Sequence, residues 1–145
     1  MTISQDPHLL AEALRPALLR VSRRLRQEAQ RAGASPLDAL LLGQIWRRPG
    51  VGVCDLADAE QITRPTMSAH VKRLEAAGWI ARAADAEDGR RSGLEITPAG
   101  LAQLEAVRRS RNDWLASRLA GLDPDARAKL QAATGPLLEL LAVEP

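Results

Sequence analysis

A mainly α-helical fold with one small β hairpin is what this 145-residue sequence predicts, on three observations. Ala and Leu supply 49 residues against 11 for Val and Ile, a mixture that favours closely packed helices over sheet. Three Trp stand without any Phe or Tyr, so a β-sandwich core lacks its usual residues and a base-stacking RNA-binding sheet lacks its platform. Apolar residues recur at helical spacing along most of the chain, and the period changes once, after Gly78. With 46% hydrophobic and 26% charged residues, the chain can bury a core, and its length fits one domain or one domain with arms.

Each element follows from local signals. Leu10, Leu14, Leu18, Val21 and Leu25 make one helical stripe. Pro16 inside it either kinks the helix or starts a second one, and Gly33 ends it. Six Arg and one acid, Glu28, lie from Arg15 to Arg31. Ser35-Pro36 is an N-cap followed by a first-turn proline. Leu37, Leu40, Leu41 and Ile45 then form a short helix stopped at Arg47-Arg48-Pro49-Gly50. A short helix over 54–60 turns Leu56 and Ala57 inward. Gln61-Ile62-Thr63 links it to a helix with Thr63 as cap, Met67, Val71 and Leu74 as its stripe, and Gly78 as its stop. Two helices joined by three or four residues form a helix-turn-helix.

Residues 79–82 and Leu94-Glu95-Ile96 then alternate as strands, with Gly89 and Gly93 allowing tight turns between them. This hairpin is a wing. Thr97-Pro98 starts a long helix carrying Leu101, Leu104, Val107, Leu115, Leu119 and Leu122. Asp123-Pro124 starts a last one with Leu130, Leu137, Leu138, Leu140 and Leu141. The expected architecture is a winged helix-turn-helix over 35–97, flanked by dimerisation helices over 1–34 and 98–145. The flanking stripes are too apolar to be covered by the central block alone, so a second copy of the chain is the expected cover.

Several function classes are disfavoured. Cys54 stands alone, which excludes an internal disulfide and a multi-cysteine zinc site. His8 and His70 are far apart, and no phosphate-binding glycine loop, nucleophile elbow or paired-histidine metal motif is present. Neither an enzyme, a cofactor nor a metal is therefore expected. No apolar stretch reaches the ~18–20 residues of a membrane span. The first residues lack a basic start followed by an apolar run, and the expected compartment is the cytoplasm.

Thr63-Arg64-Pro65-Thr66-Met67-Ser68, followed by Val71, Arg73-Leu74-Glu75 and Gly78, resembles the recognition helix of the MarR family. Asp88-Gly89-Arg90-Arg91, followed by Leu94, Ile96 and Thr97-Pro98-Ala99-Gly100, resembles the family's wing and its exit into the dimerisation helix. The resemblance covers nearly the whole chain. It implies a homodimeric winged-helix repressor of transcription, relieved by a small phenolic or anionic ligand. It further implies that 64–77 enters the major groove, that Arg90 reaches the minor groove and that Asp88 braces it. Ala69 departs from the Arg common there, and Val53-Cys54 from the usual Ser or Thr. The first helix lacks the cysteine of peroxide-sensing members.

Physical reasoning on the residues agrees with a DNA role. With Met67, Val71 and Leu74 inward, Pro65, Ala69, Lys72 and Arg73 point outward and Arg64, Thr66, Ser68 and His70 flank them. No acid occurs from Thr63 to Leu74. Arg64 and Arg73 suit guanine or phosphate, Ala69 or Thr66 a thymine methyl, and Thr63 and Ser68 a phosphate. In the wing, Asp88, Arg90 and Arg91 are the candidates, each otherwise a residue of a solvated turn. A two-fold dimer would read a pseudo-palindromic double-stranded operator with half-sites about 34–36 Å apart. His70 either joins this face or packs on the wing. Cys54 is read as a small buried residue at a helix start, with a redox-responsive thiol as the alternative. Trp46 and Trp114 are read as core or as the lining of an effector pocket. A winged-helix module that binds protein without binding DNA is the remaining alternative.

Overall fold

The structure, a computed structural model, describes residues 6–84 and 92–142. Six α-helices and one two-stranded antiparallel sheet are present among them. Helix α1 runs Pro7–Arg31, capped by Asp6, whose carboxylate accepts from His8 N at 3.0 Å. Pro16 lies inside it without ending it, which excludes the reading of two separate helices. The stop is a left-handed cap. Gly33 takes φ +90 and donates to Gln30 O at 3.0 Å, while Ala34 donates to Ala29 O at 3.1 Å.

Helix α2 (Pro36–Arg47) begins where Ser35 Oγ accepts from Asp38 N at 3.1 Å. Helix α3 (Val53–Glu60) starts one residue earlier than expected, at a Gly52 cap that supplies no side-chain bond. Gln61, at φ 54, turns the chain into helix α4 (Arg64–Ala76), which closes at Gly78 with Trp79 N donating to Leu74 O at 3.1 Å. Strands β1 (Ile80–Ala84) and β2 (Ser92–Ile96) pair with Ile80 opposite Ile96. β1 starts after Trp79, which is still held by the α4 cap, and both strands reach two residues further toward the turn than the alternation indicates. Val51, from the α2–α3 link, bridges Leu94. Helix α5 covers Pro98–Ala120 and helix α6 Pro124–Glu139.

The chain divides into two compact units, Met1–Arg111 and Asn112–Pro145. In the first, Leu41, Leu42 and Ile45 of α2, Leu56 of α3, Met67, Val71 and Leu74 of α4, Ile80, Leu94 and Leu104 form one buried core. Leu40, counted in the α2 stripe from sequence, is turned outward. A second, smaller core of Ala29, Ala34, Ala39 and Val107 lets α1, α2 and α5 approach closely. Polar bonds reinforce it. The buried Glu28 carboxylate meets Arg24 Nη2 at 2.9 Å and Arg31 Nη1 at 3.4 Å, and Ser110 Oγ donates to it at 3.1 Å. Gln103 Nε2 donates to Ala32 O at 2.8 Å and Arg111 Nε to Leu25 O at 3.1 Å. Burial holds the Arg111 pKa below the usual arginine value.

Outside these cores much apolar surface is open. Leu9, Leu10, Leu18, Leu19 and Val21 of α1 are exposed. In the second unit α6 has no buried residue, and its Leu138 is 65% exposed. Among the described residues, no helix is long and apolar enough to cross a membrane.

The entry of α5 is closely packed against the end of α4. Thr97 Oγ1 accepts from Gly100 N at 3.1 Å and donates to Gly78 O at 2.6 Å. This joins the stop of α4 to the start of α5. A Cβ on Gly100 would stand 1.9 Å from Trp79 O, so only glycine fits. In an open helix Gly→Ala stabilises by roughly 0.5–1 kcal/mol. Here Gly100→Ala is expected to destabilise by about 2–3 kcal/mol through overpacking against backbone. Urea unfolding followed by circular dichroism checks the sign.

Candidate nucleic-acid interface

The 13 residues of α4 span about 20 Å. Met67, Val71 and Leu74 are fully buried, and their spacing of four and three fixes the helix about its own axis. Thr63, Arg64, Pro65, Thr66, Ala69 and Lys72 are consequently exposed, with Ser68 and His70 half-buried. The first acid after Thr63 is Glu75, and its charge is met by Arg82, whose Nε donates to it at 3.1 Å. The open face is thus small, polar and cationic, with a width set by Ala69 and Pro65. It has the dimensions and charge of a helix that enters a major groove about 12 Å wide.

Arg73 is exposed, as periodicity places it, and its guanidinium also meets Asp38 of α2. Nη1 donates to Asp38 Oδ2 at 2.7 Å and Nη2 to Oδ1 at 2.6 Å, a two-bond fork. The Asp38 side chain is 6% exposed and that of Arg73 52%. The Arg73 hydrogen bonds and charge hold the Asp38 pKa below its ordinary value against the opposing effect of burial, and the Arg73 pKa is raised in turn. Arg73 Nη2 also lies 3.1 Å from His70 Nδ1. His70 therefore joins a chain running from α2 across the flank of α4.

Thr63 is likewise engaged. Its Oγ1 caps α4 by accepting from Thr66 N at 3.4 Å and donates to Thr66 Oγ1 at 2.9 Å. Asp38 was not singled out by the sequence. One acid among Leu37, Ala39, Leu40 and Leu41 was the available signal, but a first-turn acid also satisfies the helix dipole.

The other candidates separate. Asp88, Arg90 and Arg91 of the wing lie outside the described residues. Cys54 is exposed, not buried, because α3 turns Leu56 and Ala57 to the core and leaves its second residue outward. Trp46, in the first unit, is 42% exposed, with Arg108 stacked 4.5 Å from its ring centroid. Trp114, in the second, is half-buried with Arg118 at 5.9 Å from its ring. A groove of about 390 Å³ in the first unit is lined by Leu18, Val21, Ser22, Leu25, Arg26 and Arg111, and so not by Trp46.

Removing Arg73 leaves a buried carboxylate with its main partner gone. Arg73→Ala is expected to destabilise the chain by about 1–2 kcal/mol, discounted for the half-exposed guanidinium. Because the folded Asp38 pKa is lowered, the contribution is present above the ordinary aspartate value of 3.8. It is lost as pH falls through the lower folded value. Urea midpoints of wild type and variant should therefore differ at neutral pH and converge in strong acid.

Comparison with known proteins places this geometry. The MarR family model matches residues 35–92, the block from the α2 cap to the start of β2. An HTH-type transcriptional regulator of Mycobacterium tuberculosis is 33% identical over 140 residues, 94% of this chain and 95% of its own. A solved Pseudomonas aeruginosa protein, named for transcriptional regulation, superposes with a TM-score of 0.80 at 33% identity, covering 98% of this chain and all of the other. A variant of the Staphylococcus aureus regulator MepR, solved bound to an oligodeoxyribonucleotide, shares the fold at 22% identity and a TM-score of 0.69, over 91% of this chain and 97% of its own. Kinship at one-third identity along almost the whole length, with the family match centred on the helix-turn-helix, establishes that this chain belongs to the MarR family of helix-turn-helix transcriptional regulators.

Proposed function

We propose that the chain is a homodimeric repressor that binds double-stranded DNA sequence-specifically in the cytoplasm and is released by a small phenolic or anionic ligand. The observation that carries the DNA reading is the exposed, acid-free face of α4, held outward by three buried residues. Arg64 and Lys72 supply its cations, Thr66 and Ala69 contact bases, Ser68 and the α4 N-terminus meet phosphate, and His70 completes the edge. Residues 35–97 act as the DNA-binding block, with Arg90 in the minor groove, Arg91 beside it and Asp88 as brace.

Residues 1–34 and 98–145 form the dimerisation part. The uncovered leucines of α1 and, separately, of α6 support this assignment, since single subunits rarely leave such helix faces in water. The MepR complex is a structural precedent for the same fold on DNA. The effector is carried by family resemblance, and its action would be a population shift toward a dimer misspaced for two half-sites.

A duplex selected from a random library tests the reading. Wild type should lose affinity steeply as salt rises. Arg64→Ala and Lys72→Ala should each weaken binding by about 1 kcal/mol or more, with a shallower salt slope for whichever residue contacts phosphate. Equal binding by all three proteins would overturn the site.

Sedimentation tests the assembly. Leu18→Glu with Val21→Glu should convert a dimer into monomers and lower duplex affinity. A wild type that is monomeric at micromolar concentration would contradict it.

A further inference from the structure

We infer that Asp38 is a positioning residue for DNA discrimination, acting through Arg73 on His70. This rests on the DNA-binding role proposed above for α4. Asp38 lies on α2, 35 residues before Arg73, and does not itself sit on the presented face. Its carboxylate is buried and takes both terminal nitrogens of Arg73, at 2.7 and 2.6 Å. A planar fork on a planar carboxylate fixes distance and orientation together. Here it joins two different helices and so fixes the roll of α4 at its flank, where the buried stripe has least leverage.

The second link is the imidazole. Arg73 Nη2 is 3.1 Å from His70 Nδ1 and 2.6 Å from Asp38 Oδ1. A guanidinium nitrogen only donates, and Nη2 carries two hydrogens, one for each partner. His70 Nδ1 must therefore accept. That arrangement puts the imidazole hydrogen on Nε2, a single directed donor at the flank of the presented face. A directed donor reads guanine O6 or N7, or an adenine N7, whereas a freely rotating cation binds any phosphate.

Asp38 thus does two things at once. It withdraws Arg73 from indiscriminate phosphate binding, and it sets the hydrogen-bonding polarity of His70. The charge of Arg73 is spent inside the protein, which lowers non-specific affinity while leaving base readout ordered.

The consequence is opposite to that of a merely structural residue. In full-length Asp38→Asn the freed Arg73 should bind a scrambled duplex as tightly as wild type or more so. Affinity for the library-selected duplex should fall, so that the ratio of the two drops at least tenfold in fluorescence anisotropy at fixed salt. Nitrogen-15 spectra of the DNA-free protein supply an independent signature. His70 should show an unprotonated Nδ1 in wild type and a mixture of tautomers in Asp38→Asn. Arg73→Lys keeps the charge but lacks the fork and should lose discrimination in the same way, which covers the case in which Asp38→Asn fails to fold.

An unchanged duplex ratio in a folded variant, or a protonated Nδ1 in wild-type His70, overturns the inference and leaves the DNA-binding reading standing. A wild type that binds selected and scrambled duplexes alike overturns that reading itself, and the role of Asp38 with it.

Discussion

The burial of Met67, Val71 and Leu74 is the constraint from which the rest follows. Three side chains at spacings of four and three occupy one side of a 13-residue helix. They meet residues of α2, α3 and the sheet in one core. Fully burying a side chain of this kind contributes about 1.5–3 kcal/mol, more than any single exposed contact on the opposite face can return. The core thus decides which face of α4 is free, and the chemistry of that face follows from residues that have no packing task.

The surrounding elements hold that choice in place by close approach. Ala29, Ala34 and Ala39 let α1 and α2 meet with little side-chain bulk between them. Gly100 presses the start of α5 onto the Trp79 carbonyl, and a Cβ on Gly93 would stand 2.5 Å from Gly50 O. Through Thr97, the stop of α4 and the start of α5 share one hydroxyl. The helix-turn-helix is in this way clamped from both ends by backbone, and the Asp38–Arg73 fork adds a lateral tie. Small residues and a few charge-assisted bonds give a rigid platform without a large aromatic core.

Helix caps are legible in the sequence, and contacts between distant residues are not. Ser35, Thr63 and Asp123 each cap the helix that their position announces, because a cap is a matter of three residues. The α4 stripe was legible for the same reason. Arg73 was not, since periodicity tells which side of a helix a residue occupies but not which carboxylate from another helix waits there. Cys54 was misread because a short helix with two inward residues leaves its second position in water. Leu40 shares the apolar character of the core stripe yet faces outward. Pro16 leaves a kinked helix or two helices open in the sequence, and α1 runs unbroken through it, packed on α5. The alternation gives no sign that the α4 cap holds Trp79, and so points to a strand beginning one residue too early.

Chemical-shift mapping of the isotopically labelled chain with a library-selected duplex locates the DNA-binding face. The largest shifts should fall on Arg64, Thr66, Ala69 and Lys72, with the buried stripe behind them moving little and α6 unaffected. Shifts centred on α1 or α6, with the outer face of α4 unmoved at saturating duplex, would contradict it.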